Sequence, residues 1–339
     1  MQEFEQIVKI AYLILLGMLI ITLISRYIYF RKSSEKRIKT QDEKPIYKYL
    51  RYATILTLPV FLFGIISFVF VLQKGNMFAA GWLKNALLIA LSMILITEIF
   101  YNLKIIAKRI NRILNIIFLG LTATTGIYLT NLYLSAKSHP PIEASITIEI
   151  PFEGKWIATG AGASGLTNHH DRIKSQKYAV DIAKIGGNGK LFTGKGIEHE
   201  ESNTYGAEIF SPVNGQVVYL VDTLPDIPVK ERDKLAGNHI VIKFQDSLYV
   251  ALAHLQKKSI PWKEGDQISV GELVGKVGMS GNTDFCHLHI HIQDRPVYDL
   301  ENGKTYPLRF RRFKRKRFMF WRNVENEYLL SNDIIEKNN

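Results

Sequence analysis

A single cysteine, Cys286, in 339 residues leaves no partner for an intramolecular disulfide, so the fold is held by its core and not by covalent staples. Acidic residues are in deficit, 31 against 43 Lys and Arg, giving a formal charge of +12. The excess is divided between short loops near the N-terminus and a run near the C-terminus. No aromatic-and-basic RNA motif accompanies it, so nucleic acid is not an expected partner. No internal repeat of fixed period is apparent. After residue 134 there is no long apolar run, which excludes a helical membrane span from the remainder of the chain.

Upstream the pattern inverts. Four apolar stretches, 10–30, 53–72, 79–101 and 113–134, each approach the ~20 residues needed to cross ~30 Å of hydrocarbon. The second and fourth carry no charge. Arg26 lies near one end of the first, where a long side chain can snorkel, and Lys84 and Glu98 lie near the ends of the third. None shows the polar stripe of a soluble amphipathic helix. The expectation for residues 1–134 is an α-helical transmembrane bundle of four spans. Arg31, Lys32, Lys36, Arg37, Lys39, Lys44 and Lys48 follow the first span, and Lys104, Lys108, Arg109 and Arg112 follow the third. Both loops are therefore expected in the cytoplasm and both termini outside. This makes an integral cytoplasmic membrane protein whose C-terminal half is extracytoplasmic. Four spans exceed what an anchor requires, leaving room for a protein partner of the transmembrane region.

Residues 135–144, with Ser, Lys, His and two prolines, read as a linker. Beyond it the period becomes two, in Ser145-Ile-Thr-Ile-Glu-Ile, Gln216-Val-Val-Tyr-Leu-Val, His239-Ile-Val-Ile-Lys-Phe and Ser247-Leu-Tyr-Val-Ala-Leu-Ala-His. Short alternating runs punctuated by Gly, Pro, Asn and Asp predict an all-β antiparallel sandwich or barrel-like domain over 145–305. A basic aromatic tail, 306–339, follows. Its run from Arg309 to Arg317 reads equally as a surface for anionic polymer or lipid and as an edge strand with solvated charges.

Within the β region the stretch Met279 to Gln293 organises the rest. His287, His289 and His291 alternate with Leu288, Ile290 and Ile292, so an extended strand sends imidazoles to one face and aliphatics to the other. Asp181, between Val180 and Ile182, is expected to face away from the core with Ala179. Asn168-His169-His170 precedes it, and His254 closes the run of Leu248, Val250 and Leu252. A carboxylate plus two imidazoles makes a three-ligand zinc site with an open fourth position, leaving further imidazoles to act on water and substrate. His239 and His199 are expected to face solvent, His291 to support a ligand or be solvated, and Cys286 to be a small buried residue.

Ala179-Val-Asp181-Ile, Ser211-Pro-Val-Asn-Gly-Gln-Val, Gly237-Asn-His-Ile-Val-Ile, Ala253-His254-Leu255, Val270-Gly-Glu-Leu-Val-Gly-Lys-Val-Gly, Ser280-Gly-Asn-Thr and His287-Leu-His289-Ile occur in that order. Together, over about 161–293, they resemble the lysostaphin/LytM-type zinc metallopeptidases that cut peptidoglycan peptides. The resemblance implies a zinc endopeptidase that uses a metal-activated water. It implies metal ligands at an early histidine, Asp181 and His289, with His254 and His287 as the catalytic histidines. Ten residues separate His170 from Asp181 where the family has three. The first ligand therefore lies between His169 and His170, with His170 preferred on the view that an insertion from Asp171 loops out and leaves it at a strand end. Which of His254 and His287 is the general base stays open. The alternative is a non-catalytic binding or regulatory LytM-like module that activates other cell-wall hydrolases. A carrier or phosphotransfer barrel, suggested by the turn at 263–270, is disfavoured by the expected topology.

Overall fold

The computed structural model describes residues 131, 134–193, 198–227, 234–299, 302–317 and 320–337. The four expected spans lie outside these residues, apart from Asn131 and Leu134 at the end of the fourth. Among the described residues no helix is long and apolar enough to cross a membrane.

Period-two runs become strands throughout. They begin with β1 (Ile146–Ile148), β2 (Lys155–Gly160), β3 (Val180–Lys184) and β4 (Glu208–Phe210). The middle of the chain gives β5 (Gly215–Val221), β6 (Asn238–Gln245), β7 (Leu248–Leu255), β8 (Gln267–Ile268) and β9 (Leu273–Lys276). The last are β10 (Leu288–Gln293), β11 (Thr305–Tyr306), β12 (Leu308–Arg317), β13 (Phe320–Glu327) and β14 (Ile334–Lys337).

The all-β expectation holds in its coarse form, since the described part is mostly β. In detail, twelve strands form one sheet in the order β1-β12-β14-β2-β3-β10-β7-β6-β5-β8, with β11 on β10 and β13 on β12, while β4 and β9 pair separately. Pairings among the described strands are antiparallel except that of β1 with β12, which is parallel. Aliphatics of both sheets share one buried cluster, including Ile182, Ile209, Ile240, Leu252, Val274, Leu288 and Ile290. Burying these side chains is the main favourable term, worth about 1.5–3 kcal/mol for each large aliphatic.

Two segments differ from expectation. Residues 306–339 supply β12, β13 and β14, and β14 pairs with β2, so they belong to the sheet. Phe310 and Phe313 are 1% and 0% exposed, which ties this segment to the core. Phe310 sits where β12 pairs with β1, and Phe313 where it pairs with β14. The linker, 135–144, is docked on the same strands. His139 stacks on Tyr328 at 4.3 Å, and Arg309 donates to the carbonyl of Pro140 at 2.7 Å.

Candidate metal centre and active site

Register places the chemistry. His289 of β10 lies directly opposite Asp181 of β3, flanked by Leu288 opposite Ile182 and Ile290 opposite Val180. The flanking aliphatics enter the core, so the two polar side chains emerge on the other face. On the far side of β10, His289 and His291 oppose Ala253 and Ala251, whose small side chains leave room for imidazole rings. One row of neighbours runs His239, Ala253, His289, Asp181 and Gly160 across β6, β7, β10, β3 and β2.

Four imidazoles surround the Asp181 carboxylate. His289 Nδ1 is 2.9 Å from Oδ1, His287 Nε2 3.4 Å from Oδ1, His170 Nε2 3.0 Å from Oδ2 and His169 Nε2 3.3 Å from Oδ2. Asp181 is 3% exposed, and burial favours its neutral acid. The neighbouring His170 and His287 outweigh that effect and hold its pKa well below the usual carboxylate value. Burial lowers His289 well below the usual imidazole range. Burial also opposes charge on His287, but the adjacent Asp181 raises its pKa.

His170 is not at a strand end. It lies in a 3₁₀ turn, His169–Arg172, capped by Asn168, whose side-chain oxygen accepts from the His170 amide. The Asn168 amide also donates to the carbonyls of Gly162 and Ala179, both at 2.9 Å, so the insertion is a knotted turn of its own and not an open loop. His170 Nδ1 donates to Gln176 Oε1 at 3.2 Å, which directs the Nε2 lone pair at Asp181. His169 also reaches the carboxylate but is far more exposed, 65% against 10% for the side chain. A Cβ at Gly160 would stand 2.7 Å from its Cε1, so that glycine makes room for the ring.

His254 reaches the site through a break in its strand. Simple alternation from Leu248, Val250 and Leu252 would send it into the core. A register shift between β6 and β7 intervenes, and His254 has a φ of +62°. Leu255 is thereby returned to the core and the imidazole turned to the site face. Its Nδ1–H donates to the Ser280 carbonyl at 2.9 Å, and its ring centroid is 4.8 Å from that of His287. Close approach of Gly237 fixes that carbonyl, since a Cβ there would overlap Ser280. His287 likewise donates Nδ1–H to the Phe285 carbonyl, at 2.9 Å. Both rings therefore leave Nε2 as the working nitrogen. Burial, with His287 adding repulsion, lowers His254 to about 3, so it is neutral at ordinary pH.

The structure thus brings His170, Asp181, His289, His254 and His287 into one cluster. It also corrects two minor expectations and decides between the alternatives for a third residue. His239 is 6% exposed instead of solvated, its Nδ1–H bonded to the Gly237 carbonyl. His199 packs edge-on against Tyr205 with 14% of its side chain exposed. His291 is buried in contact with His289, so the solvated alternative is set aside. Cys286 is buried as expected, and burial pushes its thiol up to about 12. Residues missed in the sequence are Asn168, Gln176, Gln293 and Tyr298. An asparagine just before a helical turn is an N-cap signal that would have revealed the first.

His170 Nε2 and the Asp181 carboxylate face each other at 3.0 Å, a separation that suits a proton or a cation held between them. Ligating atoms of His169, His170 and Asp181 all lie within 4.8 Å of one another. Two imidazoles and a carboxylate are a zinc-type donor set with room for a further ligand, so the residues fit such an ion.

Residues 194–303, which include His254, His287 and His289, match peptidase family M23. The matched segment lies within the β domain and ends before β11. The domain is 26% identical over 161 residues to Cell division protein DipM of Caulobacter vibrioides (strain NA1000 / CB15N), a match covering 47% of this chain. The chain spans 23% of the length of that curated relative. The structure also resembles a catalytic-domain variant of the prophage-encoded M23 protein EnpA from Enterococcus faecalis, 20% identical, with a TM-score of 0.29 and coverage of 46% of this chain and 92% of that one. For the catalytic domain of the antimicrobial peptidase lysostaphin from Staphylococcus simulans, identity is 14%, TM-score 0.25 and coverage 50% and 95%.

Proposed function

We propose that the protein is a membrane-anchored, zinc-dependent endopeptidase that hydrolyses amide bonds in peptidoglycan peptides on the extracytoplasmic side of the cytoplasmic membrane. The observation that carries this reading is the gathering of His170 and His289 about the Asp181 carboxylate, at 3.0 and 2.9 Å, with His254 and His287 beside them. His170 through Nε2, Asp181 through its carboxylate and His289 through Nδ1 would hold the ion. Zinc, when bound, supplies Lewis acidity and brings the pKa of water toward ~7.

His254 and His287 do the proton work. Each is anchored through Nδ1–H to a backbone carbonyl, so rotation is blocked and Nε2 is presented in one direction. One Nε2 accepts the proton of the attacking water, and the other, as imidazolium, donates to the carbonyl oxygen as it gains charge. The amide C–N bond then breaks, and the first imidazole returns its proton to the leaving amine. Basic loops flanking the apolar segments support the extracytoplasmic placement, and those segments are the proposed contact for a protein partner.

Full-length protein in detergent, incubated with purified peptidoglycan, is expected to release peptides bearing new amino termini, to stop on chelation and to resume with zinc. Intact peptidoglycan with a zinc-loaded sample would overturn hydrolysis and favour the regulatory module. A C-terminal tag digested by protease in cells with a permeable outer layer but an intact cytoplasmic membrane supports the placement; digestion only after lysis contradicts it.

A further inference from the structure

His289 touches two groups at once: its Nδ1 faces Asp181 Oδ1 at 2.9 Å, and its Nε2 faces His291 Nδ1 at 3.0 Å. On the far side, His291 Nε2 is 2.7 Å from Gln293 Oε1. Gln293 in turn places its amide nitrogen 2.7 Å from the carbonyl of Arg295 and 3.0 Å from that of Val297. Backbone carbonyls accept and cannot donate, so these two bonds fix which end of the Gln293 amide is nitrogen. The other end is an acceptor aimed at His291.

Polarity then propagates along the chain. Gln293 Oε1 requires a proton on His291 Nε2, so a neutral His291 carries a lone pair on Nδ1. That lone pair requires a proton on His289 Nε2, so a neutral His289 carries its lone pair on Nδ1, facing Asp181. Reversing the order would turn the Gln293 oxygen onto two carbonyl oxygens. Tyr298 is the group placed to donate the other way, its hydroxyl 3.4 Å from His289 Nε2. Donation from it would leave the ring lone pairs of His289 and His291 opposed at 3.0 Å.

We propose that His291 and Gln293 are positioning residues, a relay that locks His289 in the tautomer presenting the Nδ1 lone pair to the metal site. The inference rests on the reading of His289 as a metal ligand. It assigns a role to the third histidine of the strand and explains its burial, at 1% exposure, on the site face. A ligand imidazole whose distal N–H is held in this way is oriented before the ion arrives, and loss of such a partner typically weakens metal binding about 10–100-fold.

The test combines a spectrum of the wild-type protein with two substitutions. In zinc-stripped full-length protein labelled with ¹⁵N-histidine, the His289 signals, identified by their loss in His289→Ala, are expected to show protonation on Nε2. The His291 signals are expected to show the same. Zinc affinity, measured by competition with a chromophoric chelator, is expected to fall about 10–100-fold in His291→Leu. It is expected to stay within about threefold in His291→Asn, whose side-chain oxygen replaces the Nδ1 acceptor. A merely structural role would lower the melting temperature in both variants without separating their affinities. Protonation of His289 on Nδ1, or equal affinity in wild type and His291→Leu, would overturn the relay. Wild-type protein that binds no zinc would instead overturn the metal site, while the tautomer spectrum still decides the relay.

Discussion

Strands β10 and β12 each carry polar side chains, on β10 in alternation with apolar ones and on β12 in a basic run, yet the polar sets behave in opposite ways. On β12 four of the five arginines are matched by carboxylates. Arg315 pairs with Glu327 at 3.0 Å, Arg317 with Asp333 at 2.7 Å, Arg311 with Glu149 at 3.0 Å, and the exposed Arg312 with Glu325 at 3.6 Å. On β10 and just before it the imidazoles converge on a single carboxylate, His289 Nδ1 at 2.9 Å and His287 Nε2 at 3.4 Å from Asp181 Oδ1. Charges that find a counter-charge, as on β12, are accounted for by the fold. Imidazoles gathered about one carboxylate at a cost in desolvation are the donor set of a metal site.

Breaking the β10 side is expected to have the largest effect. Asp181→Asn should reduce hydrolysis to background and abolish zinc binding while the protein still folds, with a lower melting temperature because the carboxylate that His170 and His287 stabilise has been removed. Loss of the fold along with activity, seen by circular dichroism, would show that Asp181 is structural. On the β12 side the effect should reverse. Arg317→Ala leaves Asp333, 1% exposed, buried without its partner, and is expected to cost about 3–5 kcal/mol in urea unfolding. The turnover of the folded fraction should be unchanged.

The bulge at His254 joins the two kinds of residue, since it serves the site by distorting the fold. His254→Ala and His254→Gly should both lower turnover about 10²–10⁴-fold. The glycine variant should be the more stable by about 1 kcal/mol, because it adopts a φ of +62° without Cβ strain. Equal stabilities would mean that the left-handed backbone is not strained. The smallest effect is expected from Arg312→Ala, whose exposed pair contributes less than about 1 kcal/mol. A larger loss would show that the outer charges of β12 matter to the fold.

The strand faces were legible in the sequence because period two follows from backbone geometry alone: Leu288, Ile290 and Ile292 lie in the core as the alternation requires. What sequence could not supply was register between distant strands. Asp181 and His289 stand 108 positions apart, and their apposition follows from β3 and β10 being neighbours. The row that includes His239 depends on strand order in the same way, so its burial was missed. Alternation misled at His254, where one left-handed residue shifts the phase. The C-terminal run reads equally as a charged surface and as an edge strand because Phe310 and Arg312 alternate only imperfectly, and its place inside the sheet depends on β14 pairing with both β12 and β2.

The most direct test of the central claim is the zinc content of the purified full-length protein and its single variants, measured by elemental analysis after dialysis. The account predicts ~1 zinc per chain in wild type and in His254→Ala, and essentially none in His170→Ala, Asp181→Asn or His289→Ala. Full zinc occupancy in Asp181→Asn, or its absence from the wild type under zinc-replete conditions, would contradict the shared site.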